Sequence, residues 1–338
     1  MGRESAKSPD DSRPFDHKAL LAWYRANRRS LPWRENRDPY RIWISEVMLQ
    51  QTTVAAVIPY YERFLKSFPD VKTLAEAPEG DVLRAWAGLG YYSRARNLHK
   101  ASKALAAGGF PRTAAELIEL PGFGPYTSAA VASIAFGDEV GVLDGNVIRV
   151  LCRRYGLDIP WWNNAEKKML QAFADAFARL GRPDEINQAL MELGATVCTP
   201  SSPSCLLCPW SSVCEARRQD KVSSLPRPKP RRALETWVWS PIVTIKNERV
   251  ALVQNSQGPV LKGQWIFPGD FRPSDVKPKK FAARHGITHH DLYVCWPEDK
   301  GRWKPDPETK WVPLKDLESV TPSKLLRKVL QAAEGQKP

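Results

Sequence analysis

Leu120-Pro121-Gly122-Phe123-Gly124-Pro125-Tyr126-Thr127 lies between two segments with helical periodicity, Ala114 to Leu120 and Thr127 to Phe136. Two glycines permit a tight turn and let backbone amides approach a partner closely. Pro125 opens the second helix in its first turn, and a helix N-terminus attracts an anion. The reading is a helix–hairpin–helix, a shape that grips a phosphate without reading sequence. Gly122, Gly124 and Thr127 are its expected DNA-contact residues. An ordinary helical turn is the plainer alternative, and the paired glycines between two helices weigh against it.

Outward from the hairpin, the first two thirds of the chain read as all-α. Apolar residues recur at three- and four-residue spacing from Lys18 to Asn27, Trp43 to Val57, Ile58 to Phe68, Gly80 to Ala87, Ser93 to Ala107, Asn146 to Tyr155 and Ala165 to Leu180. Prolines and glycines punctuate these runs. Residues 1–14 are polar and charged and are expected to be a disordered tail.

A helix running through Asn187 to Val197 feeds Cys198, the first of four cysteines spaced C-x6-C-x2-C-x5-C: Cys198, Cys205, Cys208 and Cys214. Pro200, Pro203 and Pro209 keep the segment non-helical. Four thiolates this close favour an iron–sulfur cluster or a structural zinc. Spacing alone leaves both open, although zinc motifs usually pair two short knuckles and only one is present. Two disulfides are disfavoured, because they need an oxidising compartment and no secretory signal is visible. Cys152 and Cys295 sit among apolar neighbours and read as buried thiols.

The chain has 338 residues, enough for two domains, and a formal net charge of +13. A basic balance of this size favours a polyanionic partner, nucleic acid first, over a merely basic surface. No apolar run reaches membrane-spanning length, which excludes a helical membrane protein. The 13 tryptophans serve as core or as surfaces for stacking on bases.

Pro226-Arg227-Pro228-Lys229-Pro230-Arg231-Arg232 breaks the helical texture and reads as an extended basic linker, placed at 222–235. Beyond it, Thr236 to Trp239, Ile242 to Ile245, Val250 to Val253 and Leu292 to Trp296 are β-rich. Asn247-Glu248-Arg249 forms a hairpin turn and a helix spans Pro322 to Ala333. The expected organisation is a mainly α domain over 15–221 and a smaller α+β domain over 236–338.

Two carboxylates stand out. Asp144, in Leu143-Asp144-Gly145-Asn146-Val147, follows the hairpin's second helix and on its own reads as a cap for the next helix. Glu46 lies in an otherwise apolar helix, Ser45-Glu46-Val47-Met48-Leu49-Gln50-Gln51-Thr52. Apolar surroundings raise a carboxyl pKa and prepare it to donate a proton near neutrality, unless the position is exposed or merely structural.

Together these motifs resemble the MutY family of adenine DNA glycosylases, within the helix–hairpin–helix glycosylase superfamily. Gly88-Leu89-Gly90-Tyr91-Tyr92 adds to the match, which runs in consistent order over residues 32–214. The resemblance implies removal of adenine mispaired with 8-oxoguanine or guanine in double-stranded DNA, after the base leaves the stack. Glu46 would be the general acid and Asp144 the stabiliser of the sugar cation, as in retaining glycosidases. Tyr126 and Asn146 would hydrogen-bond at that centre. Arg34 and Gln188 would lie near the adenine, and Gln51 and Tyr91 would insert beside the lesion. By the same resemblance the four cysteines hold one 4Fe–4S cluster.

A phenol at position 126, where bifunctional relatives carry a Lys, implies base release without strand cleavage. The C-terminal domain would be Nudix-like and would recognise the base opposite adenine. Gly263 to Gly269 matches that domain's strand and turn. Arg284 to His290 matches its recognition loop, placing Ile287, Thr288 and His289 at the oxidised base, though His289 also reads as an ordinary surface His. The loop lacks the family's aromatic, the segment from Phe271 to Ala283 is short for the Nudix helix, and no acidic Nudix box is visible. The expected protein is a monomer in a bacterial-type cytoplasm, associated with the nucleoid. Other readings kept in view are a thymine or oxidised-pyrimidine glycosylase and a non-catalytic iron–sulfur DNA-binding protein.

Overall fold

A computed structural model describes residues 16–230, 232–297, 303–321 and 323–335; the tail expected at 1–14 lies outside them. The chain divides into two compact units, Met1–Lys229 and Pro230–Pro338.

The first unit is helical. Its helices are α1 (His17–Asn27), α2 (Pro39–Leu49), α3 (Val54–Ser67), α4 (Val71–Glu76), α5 (Glu79–Ala85), α6 (Tyr92–Gly108), α7 (Ala114–Leu117), α8 (Pro125–Val131), α9 (Gly145–Tyr155), α10 (Asn164–Ala178), α11 (Pro183–Thr196) and α12 (Glu215–Arg218). Two apolar cores organise them. One is built around Trp43, Met48, Phe64 and Trp86, and the other around Leu20, Leu151, Phe177 and Leu190. Met191 packs against both. The chain crosses between them at Leu143–Asp144, so the candidate site falls at the seam of two cores.

Helix α2 is the centre of the first core. Asp38 caps it by accepting from the Tyr40 amide at 2.9 Å, and Pro39 occupies its first turn. Every residue from Ile42 to Met48 is buried. A helix buried on all sides needs apolar residues all round, which is why Glu46 is conspicuous there.

The expected helix Trp43 to Val57 is instead two helices, broken at Gln50 to Thr53. Gln51 takes a left-handed backbone, φ 60°. The Arg94 guanidinium, from α6, accounts for the stop. It donates to the carbonyls of Val47 (2.8 Å), Met48 (3.3 Å) and Gln50 (2.5 Å), satisfying groups that a continuing helix would have paired. The run from Thr127 to Phe136 also differs. It starts at Pro125 and ends in a π-helical turn, Ala132–Phe136, where the Ser133 hydroxyl donates to the Ala129 carbonyl at 2.6 Å. The short helix α4 was not anticipated.

The hairpin is anchored by Phe123, which is buried and stacks on Trp43 at 5.2 Å. Gly122 has φ +81°, and a Cβ there would sit 2.6 Å from the Asn97 Cβ, so the turn is closed to larger residues. The stretch read as the start of the linker joins the helical unit. The Leu225 carbonyl accepts from Arg153 at 2.7 Å, and Arg227 pairs with Asp158 at 2.8 Å.

The second unit holds β1 (Glu235–Pro241), β2 (Ile245–Lys246), β3 (Arg249–Gln254), β4 (Trp265–Ile266), β5 (Gly269–Ser274), β6 (Ala283–Ile287), β7 (His290–Val294) and β8 (Lys310–Pro313), then α13 (Leu317–Val320) and α14 (Lys324–Glu334). One sheet has the order β5-β1-β7-β6, with β1 and β7 parallel. The other runs β2-β3-β4, with β8 also on β3. The turn between β2 and β3 is Asn247–Glu248, both left-handed as a two-residue hairpin loop requires. The expected strand Ile242 to Ile245 reduces to its last residue. The segment read as a recognition loop, Arg284 to His290, is a hairpin of β6 and β7 with only Thr288–His289 as its turn, because Ile287 and His290 already pair. Cys295, expected to be buried, is partly exposed just beyond β7.

Replacing Phe123 by Ala removes the anchor between hairpin and core. Chemical denaturation of the full chain should report a loss of about 3–5 kcal/mol.

Candidate active site

A cavity of about 200 Å³ opens at the seam of the two cores. Its wall includes Arg34, Glu46, Tyr126, Asp144, Asn146 and Gln188, all six residues expected at the reaction centre or base pocket. They arrive on different elements: Arg34 from a short 3₁₀ turn, Glu46 from α2, Tyr126 from α8, Asp144 and Asn146 from the start of α9, and Gln188 from α11.

Glu46 is 6% exposed. The Tyr126 hydroxyl donates to its Oε2 at 2.5 Å. Burial raises the Glu46 pKa to about 7, with the Tyr126 hydrogen bond and Arg34 opposing the shift and Asp144 adding to it. Burial, reinforced by Glu46 and Asp144, drives the Tyr126 phenol well above its ordinary value, so it stays a donor. The Tyr126 hydroxyl also lies 3.7 Å from the Met191 sulfur, which bounds the cavity floor.

Asp144 is at once cap and wall. Its Oδ1 accepts from the Val147 amide at 2.7 Å and its Oδ2 from the Asn146 side-chain amide at 2.8 Å. Burial raises its pKa, while these hydrogen bonds and Arg149 favour the ionised form. The connection leading to it is pinned by buried Asn187, which accepts from the Val142 amide at 3.0 Å and donates to Ser133 Oγ and the Val140 carbonyl at 2.9 Å each. Asn146 in turn accepts from Arg149 at 2.8 Å, and Arg149 donates to the Gly194 (2.8 Å) and Cys198 (2.7 Å) carbonyls. A continuous hydrogen-bonded path therefore joins Asp144 to the cysteine loop.

Cys198, Cys205, Cys208 and Cys214 line one small hollow with Val197, Pro203 and Arg153. None of the four is joined in a disulfide. Arg153, itself buried, donates to the Thr199 (2.7 Å) and Pro200 (3.0 Å) carbonyls and lies 3.5 Å from Cys198 Sγ.

Gln51 and Tyr91 lie outside the cavity. Both are exposed, and both hold left-handed backbones, φ 60° and 49°. Arg94 ties the two turns together, since its second amino group reaches the Leu89 and Gly90 carbonyls at 3.3 Å. Gly122 and Gly124 sit on the hairpin surface, but Thr127 does not. It is buried, and its hydroxyl accepts from Gln50 at 3.1 Å, because it faces α2 across the first turn of α8. Ile287, Thr288 and His289 belong to the second unit's β6–β7 hairpin.

Two contributors were missed. Glu192, fully buried on the cavity wall, accepts from Arg29 through its backbone amide (3.1 Å), Nε (2.7 Å) and Nη2 (2.9 Å), and from Arg34 Nη2 (2.8 Å). Burial works to raise its pKa, yet the two arginines prevail and hold it at about 2. It lies one helical turn beyond Gln188, so i,i+4 spacing could have flagged it. Arg94 carried no such signal, as its partners at 47–50 are distant in sequence.

Residues 44–179 match the family described as HhH-GPD superfamily base excision DNA repair protein. An adenine DNA glycosylase of Buchnera aphidicola is 36% identical over 82% of this chain and 84% of its own length. That of Homo sapiens is 46% identical over 61% of this chain, which spans only 40% of the human protein. Among solved structures, a thermostable thymine-DNA glycosylase superposes with a TM-score of 0.55 at 29% identity, over 60% of this chain and 94% of its own. An endonuclease III–DNA complex shares the fold, with TM-score 0.50 and 22% identity, over 61% and 96%. The class is thus the helix–hairpin–helix DNA glycosylases. Within it, the chain belongs to the adenine DNA glycosylase family, enzymes of base excision repair.

Gly194 faces Asn146, and a Cβ there would lie 2.6 Å from the Asn146 Cβ and 3.0 Å from its carbonyl oxygen. Gly194→Ala should therefore displace Asn146 from Asp144. The expected cost is about 1–3 kcal/mol in thermal unfolding, together with a clear loss of single-turnover base release.

Proposed function

We propose that this enzyme releases adenine mispaired with 8-oxoguanine or guanine in duplex DNA, with Glu46 as general acid and Asp144 as stabiliser of the sugar cation. The observation that carries the reading is a buried carboxyl with a pKa near 7, hydrogen-bonded by Tyr126, in the same cavity as a second carboxylate.

The chemistry follows from the two environments. The neutral Glu46 carboxyl gives its proton to adenine N7. The C1′–N9 bonding pair then leaves with the base, and positive charge grows on the sugar. Asp144, whose hydrogen bonds favour its ionised form, faces that charge or captures it as a transient adduct. Water adds at C1′, losing a proton to the Glu46 carboxylate. Arg34 and Gln188 would orient the base from the wall, with Glu192 fixing Arg34. The exposed turns of Gln51 and Tyr91 would fill the vacated stack, and the hairpin glycines would hold a phosphate. The partner would be double-stranded DNA, bound by one copy of the chain. The second unit would read the base opposite adenine, through the Ile287–Thr288–His289 turn.

We also infer that the four cysteines hold one 4Fe–4S cluster. The four side chains line one small hollow, and an all-thiolate ligand set suits an iron–sulfur centre. The buried Arg149 and Arg153 supply positive charge beside the hollow, as an anionic cluster requires. When bound, the cluster would brace the loop and, through Arg149, the start of α9.

Asp144→Asn keeps a good helix cap but loses the negative charge. Single-turnover release from an adenine:8-oxoguanine duplex should fall by at least about 10²–10³-fold, with duplex binding retained. Wild-type turnover in this variant would overturn the role. The wild-type rate should fall about tenfold per unit above about pH 7, because Glu46 acts in its protonated form and burial raises its pKa to about 7, and it should fall again in acid as Asp144, whose pKa burial raises, takes up a proton. A rate indifferent to pH between 6 and 9 would contradict general-acid catalysis by Glu46. Strands should break only after alkali, since the Tyr126 phenol forms no imine. Breakage without alkali would show a lyase step.

A further inference from the structure

The β6–β7 hairpin of the second unit carries a further side-chain cluster, which shares Thr288 and His289 with the turn proposed to read the opposite base. Thr288, with φ 56°, and His289 form its two-residue turn, and His290 begins β7. Strand β1 starts alongside. Glu235 pairs in parallel register with His290, and its amide donates to the His289 carbonyl at 2.8 Å. The two imidazoles are 4.0 Å apart between centroids. His290 Nε2 lies 3.3 Å from Glu235 Oε2, and His289 Nε2 lies 3.6 Å from Glu235 Oε1.

The Thr288 hydroxyl orients both rings. It donates to the Ile287 carbonyl at 2.6 Å, so towards other partners it can only accept. The Nδ1 atoms of His289 and His290 both lie 3.4 Å from it. With the ring hydrogens on Nδ1, both Nε2 lone pairs would face the carboxylate. Trp237 Nε1 donates to Glu235 Oε2 at 3.2 Å and steadies the third group. One candidate ligand atom from each of Glu235, His289 and His290 lies within 4.8 Å of the other two. Tetrahedral ligands at about 2.0–2.2 Å from a zinc ion stand about 3.4 Å apart, close to the 3.3 and 3.6 Å found.

We propose that Glu235, His289 and His290 bind one divalent transition-metal ion, zinc in the first instance, with water completing its shell. The nitrogen–oxygen donor set suits zinc, copper(II) or nickel(II) rather than the iron–thiolate chemistry of the cysteine loop. The Nδ1–hydroxyl contacts supply the outer-shell support that metal-bound imidazoles normally have. The site pins the tip of the hairpin to the start of β1, beside the Arg284–Asp291 ion pair that joins β6 to β7.

The test is zinc titration of the iron-loaded full chain, with zinc and iron per chain read by elemental analysis after dialysis. One zinc per chain with iron unchanged is expected, and His289→Ala and His290→Ala should each weaken binding by at least about tenfold. In parallel, the wild-type imidazole nitrogens followed by NMR should show the two Nε2 signals shifting on zinc addition while Nδ1 keeps its hydrogen. This readout holds even where a variant fails to fold. No zinc uptake, uptake only as iron is lost, affinity unchanged in the double variant, or Nε2 signals indifferent to zinc would each overturn the proposal. The last would mark the cluster as a plain histidine–carboxylate ion pair.

Discussion

One buried carboxyl governs the arrangement of the helical unit. Glu46 occupies a helix whose other faces are all core, and a charge there without compensation would cost several kcal/mol. The chain resolves this by keeping the group neutral near pH 7 and giving it a single strong donor, the Tyr126 hydroxyl. That requirement ties α2 to α8 and therefore to the hairpin that opens α8. The seat of the acid and the orientation of the hairpin are thus one packing problem, solved with Phe123 on Trp43 and Thr127 against Gln50.

Helix α9 makes the second connection. Its N-terminus holds Asp144, and successive turns bear Arg149 and Arg153, both buried and both aimed at the backbone of the cysteine loop. Asp144 cannot move without disturbing Asn146, nor Asn146 without Arg149 and Gly194. A loop far from the cavity is therefore mechanically part of it. The two carboxyls end with unlike environments. Glu46 has one donor in an apolar cage, whereas Asp144 has backbone and amide donors. Unlike environments around paired carboxyls separate an acid from a stabilising anion.

The cavity wall carries a third carboxylate with a different task. Glu192 is as buried as Glu46 yet strongly ionised, because two arginines surround it. Its charge offsets part of theirs, so the cavity wall presents fixed guanidinium edges without a large net positive charge beside Glu46. Three carboxyls on one cavity thus hold three different protonation preferences, because burial raises all three pKa values and only around Glu192 do paired arginines outweigh it.

Much of this was legible in the chain. The paired glycines of the hairpin, the lone acid in an apolar helix, the Asp at a helix start and the spacing of four cysteines are local signals, because capping, periodicity and loop closure act over a few residues. They led to the fold class and to the residues that share the cavity. Other features were decided only in three dimensions. The break after Leu49 depends on Arg94, more than 40 residues away, satisfying the helix's last carbonyls. Thr127 turned inward because Gln50 meets it there, the recognition segment became a strand pair because Ile287 already pairs with His290, and Glu235 met two histidines through a parallel strand register. In each case the deciding partner is remote in sequence, and burial and hydrogen-bond satisfaction between remote segments are properties of the packed chain rather than of any local stretch.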